Sequence, residues 1–118
     1  MKHRTIEFYE TGSGRCPVAD YLTETLRIRK ERARIMKAFE AVQANDVLPS
    51  KIFKKLSGRS GLWEIRIDQY RVLCFYAPGD VLVFVSIFLK KSQKTPQPEI
   101  ELAIQRKKAY ESRPEKPR

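Results

Sequence analysis

"LWEIRIDQYRVLCFY", residues 62–76, decides how the second half of this chain folds. Its alternation of apolar and polar positions, rich in β-branched and aromatic residues, predicts two short strands meeting at a turn. With the turn centred on Asp68 and Gln69, Ile67 faces Tyr70 and Arg66 faces Arg71. Like charges directly across a strand pair are destabilising, so a nearby carboxylate or an anionic ligand must compensate. Alternation puts Trp63, Ile65, Ile67, Val72 and Cys74 on one face, an ordinary core face. The other carries Leu62, Glu64, Arg66, Arg71, Leu73 and Phe75, with charges embedded among apolar residues. Turns of two or four residues preserve the Arg66–Arg71 pairing, whereas a three-residue loop slips the register and removes it. Asp-Gln is not a favoured two-residue turn. Two readings stay open here. One is a Glu64–Arg71 diagonal salt bridge with Arg66 pointing to water, the kind of surface pair usually worth little. The other is a phosphate clamp on a solvent-facing cleft, since arginine's planar fork matches phosphate oxygens bidentately.

Working outward, "PGD" (78–80) supports a second turn. Residues 81–89, "VLVFVSIFL", are apolar at almost every position, as expected of a central strand covered on both faces. "KKSQKTPQP" stops that strand, and "EIELAIQRKKAYE" predicts a closing helix. Glu99 near its start and Arg106, Lys107 and Lys108 near its end both suit the helix dipole. Upstream, "HRTIEFYE" (3–10) reads as a first strand, broken by "TGSGR". Pro17 suits a first helical turn, and Val18, Tyr21, Leu22 and Leu26 recur at helical spacing. A second helical pattern follows from Arg29 to Ala44, with Ile28, Ile35, Phe39 and Val42 near one face. No Gly or Pro separates the two segments, so the pattern alone allows one long helix. The resulting order, β-α-α-β-β-β-α, is an α+β domain with a small, mainly antiparallel sheet. Residues 1–111 form the domain, and 112–118 a frayed basic tail.

A chain of 118 residues bounds this to one domain with a modest core. No apolar run approaches the 18 or more residues of a membrane span, and the first ten residues lack the apolar stretch of a signal peptide. Cys16 and Cys74 make no disulfide framework or zinc site, so a reducing cytoplasm is the simplest setting. His3 is the sole histidine, which leaves little material for histidine-based metal sites or nucleophile triads. No glycine-rich phosphate loop is present. Charge is more informative. The net charge is +10, with 9 basic and 7 acidic residues in positions 1–49 against 15 and 7 in 50–118. That balance favours a polyanionic partner such as nucleic acid.

Three basic groups accompany the arginine pair. "KIFKKL" (51–56), with Lys54 and Lys55, precedes the hairpin. "KKSQK" (90–94) leaves the apolar strand and carries Lys90, Lys91 and Lys94 to one end of the sheet. Arg27, Lys30, Arg34 and Lys37 fall at i, i+3, i+7 and i+10, within about 80° of arc at 3.6 residues per turn, nearly opposite the apolar face. Taken singly, each is a solvated edge or helix face. Taken together, they suit phosphate tracking.

The strand "LWEIR", the strand start Tyr70-Arg71, and "KKSQKTP" before a helix that opens "EIE" resemble the RelE/ParE toxin superfamily. The likeness is closest to the phage-derived, HigB-like branch of type II toxin–antitoxin toxins and runs from about residue 3 to 110. It implies a RelE-like twisted sheet packed against an N-terminal helical hairpin and a C-terminal helix, with a break near Arg27–Arg29. It also implies a cytoplasmic toxin silenced by a cognate antitoxin, typically a helix-turn-helix protein. Many relatives are mRNA endoribonucleases acting on the ribosome. There the RNA's own 2′-hydroxyl attacks the adjacent phosphate, so no metal or other cofactor is implied. Arg71 matches the family's strand arginine, Arg66 a basic position on the preceding strand, and Lys91 with Lys90 the basic end of the last strand. These four are the implied catalytic residues, with Lys90 or Lys91 as general base. Lys94 belongs to the branch motif and, with Lys54, Lys55 and the helix stripe, to RNA binding. Two departures matter: "TPQPEIE" lacks the Tyr or His of strongly active relatives, and Glu64 stands where some carry lysine. They leave two alternatives, a gyrase-binding toxin like the ParE side or a non-catalytic nucleic-acid-binding module.

Overall fold

A computed structural model describes residues 4–56, 58, 60–91 and 94–113. His3 and the expected strand start at residue 3 lie outside the described residues, as do Ser92 and Gln93 of the basic run. The protein is α+β, with three helices and a five-stranded mixed sheet. In chain order the elements begin with β1 (Thr5–Phe8) and α1 (Pro17–Asp20), which continues as a π turn over Tyr21–Thr25. Then come α2 (Arg29–Ala44), β2 (Phe53–Lys55), β3 (Trp63–Ile67), β4 (Tyr70–Ala77), β5 (Val81–Leu89) and α3 (Gln97–Glu111). The sheet order is β1-β5-β4-β3-β2; β1 runs parallel to β5, and the other neighbours are antiparallel.

The helical region breaks at the corner the family resemblance implies, although no Gly or Pro announces it. Leu26 and Ile28 are extended (ψ 99 and 111), and Leu26 is buried. The Arg32 guanidinium donates to the Leu26 carbonyl at 2.9 Å, so the corner's acceptor is satisfied by the next helix. This corrects the placement of Ile28 on the apolar face. It is the N-cap of α2 and 57% exposed, while Ile35, Phe39 and Val42 are buried.

Strand β2 is absent from the sequence expectation. "FKK" is three residues long and two-thirds lysine, a poor strand signal by propensity. It forms because Phe53 opposes Ile65 and stacks on Trp63 at 4.6 Å between ring centroids.

Both sheet faces are covered. Helices α1 and α2 pack with Ile65, Val72, Cys74 and Phe84 on one side; Leu62, Leu73, Phe75 and Val83 meet α3 through Ala103 on the other. Eight of the nine β5 residues are consequently buried, which explains that strand's unbroken apolar run. The register slips by one between Leu73 and Cys74, leaving Val85 without a Cα partner. Arg106 of α3 repairs this, donating to the Val85 carbonyl at 2.6 Å and to Ser86 Oγ at 3.0 Å. In the region expected as a frayed tail, Ser112 Oγ donates to the Lys108 carbonyl at 2.6 Å, and the Arg113 guanidinium lies 4.9 Å from the Tyr9 ring centroid. Residues 114–118 lie outside the described residues.

A buried tyrosine also ties α2 to the sheet. The Tyr70 hydroxyl donates to Glu31 Oε2 at 3.0 Å, and the side chain is 7% exposed. Burial first, then the bond to Glu31, pushes its pKa up to about 12. Because the folded state holds the phenol proton more tightly than the unfolded chain, this contribution is complete below the unfolded tyrosine value of about 10. It is lost as pH rises through the folded value. Urea midpoints should therefore fall between about pH 10 and 12, and Tyr70→Phe should flatten that decline. An unchanged slope in the variant would assign the alkaline loss to other groups, such as the buried Cys74 thiol, which burial also pushes up.

Candidate functional site

The hairpin adopts the register that alternation predicts: Ile67 opposes Tyr70, and Arg66 opposes Arg71. Asp68 makes the tight turn in the left-handed region (φ 53), a conformation Asp tolerates better than most residues. Its carbonyl then accepts from Arg71 Nη1 at 2.7 Å, and the Tyr70 carbonyl accepts from the same nitrogen at 2.8 Å.

The group that compensates the paired charges is a carboxylate. Glu64 is 2% exposed, and its Oε1 lies 3.2 Å from Arg66 Nε and 3.9 Å from Arg71 Nε. Its Oε2 accepts a hydrogen bond from Thr95 Oγ1. A buried carboxylate persists only where it is paired and hydrogen-bonded, and here two arginines and a hydroxyl share that task. The salt-bridge reading therefore holds in part, but Arg66 does not simply point to water; it makes the shorter contact. Nor is Arg71 solvent-facing, since its side chain is 14% exposed against 36% for Arg66. Burial lowers the Arg71 pKa, Glu64 opposes that shift, and Arg66 adds to it. Arg71 Nε is buried without a hydrogen-bond partner among the described residues.

The sheet brings some expected site residues together and separates others. Lys54 lies opposite Glu64 on β2 and so shares the arginine face, whereas Lys55 lies opposite Trp63 on the other face. Lys90 follows β5 directly, and its backbone N–H donates to the Gln69 carbonyl at 2.8 Å, which fixes the basic segment against the β3–β4 turn. Lys91 and Lys94 are exposed, and Lys94 immediately precedes Thr95 at Glu64. The chain from 90 to 95 thus starts at the arginine turn and ends at the arginines' counter-ion.

The basic stripe differs from its expectation in two respects. All four residues are exposed, but Arg27 lies in the corner before α2 rather than on the helix. Arg34 is not remote from the arginine pair: its Nη1 donates to Asp68 Oδ2 at 2.6 Å. It thus anchors the turn residue whose carbonyl holds Arg71. Lys30 and Lys37 remain on the exposed face of α2.

Sequence alone gives Thr95 no role, Asp68 only a place in the turn, and Arg106 only a place at the basic end of the closing helix. The Lys-Thr-Pro run flagged Thr95 without a role, and a non-Gly turn residue beside two arginines flagged Asp68. Nothing local signals that Arg106 would serve a bulge on another element. Among the described residues, no group of three or more His, Cys, Asp or Glu is placed to hold a metal ion. No helix among them is long and apolar enough to cross a membrane.

The model of the family described as phage derived protein Gp49-like (DUF891) matches residues 28–108. The matched span begins at the α1–α2 corner and includes the hairpin, Glu64, the Lys90–Thr95 segment and most of α3. That family comprises RelE-like toxins of toxin–antitoxin systems, which suggests a cognate antitoxin partner. No curated protein matches the chain.

Proposed function

The chain belongs to the phage-derived Gp49-like toxin family, and we propose that it is a HigB-like toxin that cleaves mRNA on the ribosome in the cytoplasm. The observation that carries this reading is the Arg66–Arg71 pair, held side by side on one buried carboxylate beside the basic end of β5. With Arg66 Nε on Glu64 and Arg71 Nη1 on the Asp68 and Tyr70 carbonyls, the remaining guanidinium N–H groups would donate to the oxygens of a scissile phosphate from a pre-set geometry. Lys90 or Lys91 takes the proton of the 2′-hydroxyl. The 2′-oxygen attacks phosphorus, the bond to the 5′-oxygen breaks, and that oxygen takes a proton from the other lysine's ammonium or from water and leaves as a 5′-hydroxyl, with a 2′,3′-cyclic phosphate on the upstream fragment. Lys54 and Lys94 guide the flanking RNA. Lys55, Arg27, Lys30 and Lys37 face other surfaces and serve ribosomal phosphates, which is sequence-independent neutralisation, while Arg34 is held on Asp68 and supports the turn. A helix-turn-helix antitoxin silences the toxin.

Because the attacking group belongs to the RNA, cleavage should survive EDTA in an assay where ribosome integrity is controlled separately. End-mapping in a translation extract should find 2′,3′-cyclic phosphate or its 3′-phosphate product. Ends bearing a 3′-hydroxyl, formed only with added Mg²⁺, would indicate two-metal chemistry instead. Gyrase-dependent DNA breaks without RNA cleavage would replace the ribonuclease reading with the ParE-like one.

A further inference from the structure

We propose that Glu64, latched by Thr95, is the positioning residue of the arginine pair: one carboxylate aligns both guanidinium groups and holds their combined charge at +1. The proposal rests on the phosphate-clamp reading above. Three observations carry it. First, both Glu64 oxygens are engaged and the side chain is 2% exposed, so it is out of reach of a 2′-hydroxyl and cannot serve as a general base. Second, the contact to Arg71 Nε is 3.9 Å, too long for a hydrogen bond, and that nitrogen is buried with no hydrogen-bond partner among the described residues, so the carboxylate acts on it by charge attraction. Third, Thr95 Oγ1 donates to Glu64 rather than capping α3, whose N-cap is Pro96 with no side-chain cap bond. The hydroxyl fixes the carboxylate's rotation; the carboxylate fixes the Arg66 fork by a hydrogen bond and attracts the Arg71 fork, whose Nη1 the Asp68 and Tyr70 carbonyls hold.

The charge balance gives this arrangement a consequence that simple structural support would lack. Two arginines and one glutamate sum to +1, which matches the single negative charge of a phosphodiester. Attack by the 2′-oxygen adds negative charge at phosphorus, and only interactions that strengthen with that charge accelerate the step. Removing the Glu64 charge raises the pair to +2 and releases its alignment. The added charge tightens ground-state phosphate, and the lost alignment slows the chemical step.

The test uses the full chain carrying E64Q, T95V or T95S. Inorganic phosphate is titrated while the arginine Nε–Hε signals are followed by NMR, and cleavage is measured in parallel. E64Q should bind phosphate roughly tenfold more tightly, as expected for one unit charge removed a few ångströms away and partly screened. It should shift the Arg71 Nε–H signal and lower both KM and kcat, kcat by roughly tenfold or more. T95V, which keeps the β-branched shape and leaves the Glu64 charge in place, should shift the Arg71 Nε–H signal and lower kcat with phosphate affinity little changed, and T95S, which keeps the hydroxyl, should restore both. Phosphate affinity and arginine signals unchanged from wild type in both E64Q and T95V would overturn the proposal. So would weaker phosphate binding in E64Q. If E64Q does not fold, T95V against T95S decides alone. If the wild-type protein cleaves no RNA yet E64Q still tightens phosphate and shifts Arg71, the positioning role stands and the ribonuclease reading falls.

Discussion

On the proposed ribonuclease mechanism, Arg71→Ala should lower RNA cleavage by at least about a hundredfold, the scale seen when one preorganised donor to a developing charge is removed. Growth arrest on expression should be lost with it. The protein stays folded, because Glu64 keeps Arg66 and Thr95 as partners. The cost to stability is not negligible, however. Arg71 is mostly buried and supplies the donor for the Asp68 and Tyr70 carbonyls, so the variant should lose about 1–3 kcal/mol. Activity must therefore be compared at equal folded concentration, verified by circular dichroism and a urea midpoint. Arg71→Lys separates charge from geometry: it keeps the positive charge but lacks the planar fork. It should recover ribosome binding and only part of the cleavage rate. Full toxicity in the Arg66→Ala, Arg71→Ala double variant, at equal expression, would remove the clamp from the mechanism.

The hairpin was legible because its signal is local. Alternation has a period of two, and a one-residue slip would move Ile65, Val72 and Cys74 out of the core, so the register had little freedom. The apolar run of 81–89 was legible for the same reason. What the sequence left dark depends on distant partners. The corner at Leu26 exists because Leu26 is drawn inward and Arg32 satisfies its carbonyl, and neither fact leaves a breaker residue. Strand β2 exists because Phe53 finds Trp63, eight residues beyond the end of its own short strand. The paired arginines raised the question of a counter-ion, and Glu64 was visible as one answer. Thr95, 31 residues further on, was not, since only the packing of α3 beneath the sheet brings its hydroxyl there. Arg34 shows the opposite error. Helical periodicity placed it on a solvent stripe correctly, but periodicity carries no information about Asp68, which waits at the tip of another element.

Phe84→Ala should have the largest effect on stability and the smallest on the arginine pair. Phe84 is fully buried and opposes Phe8 in the parallel β1–β5 pairing, with ring centroids 5.8 Å apart. Phe39 of α2 meets it edge-on at 4.8 Å. One ring therefore joins β1, β5 and α2. Truncating it removes that contact and opens a cavity, at a cost of about 3–5 kcal/mol, which is a large share of the roughly 5–15 kcal/mol that holds a domain folded. The urea midpoint should drop accordingly, and Phe84→Leu should drop it less. Phe84 faces the α1–α2 side, whereas Arg66, Arg71 and Glu64 lie on the α3 side, and Arg71 is in register with Phe88, four residues along β5. The fraction of Phe84→Ala protein that remains folded should therefore bind phosphate with wild-type affinity. Toxicity in cells would fall through abundance, as it does for destabilised variants generally, and should return when the variant is stabilised by lower temperature. Loss of phosphate binding in protein shown to be folded would mean that the core sets the arginine geometry through β5, and that stability and function are coupled in this chain rather than divided between the two faces of its sheet.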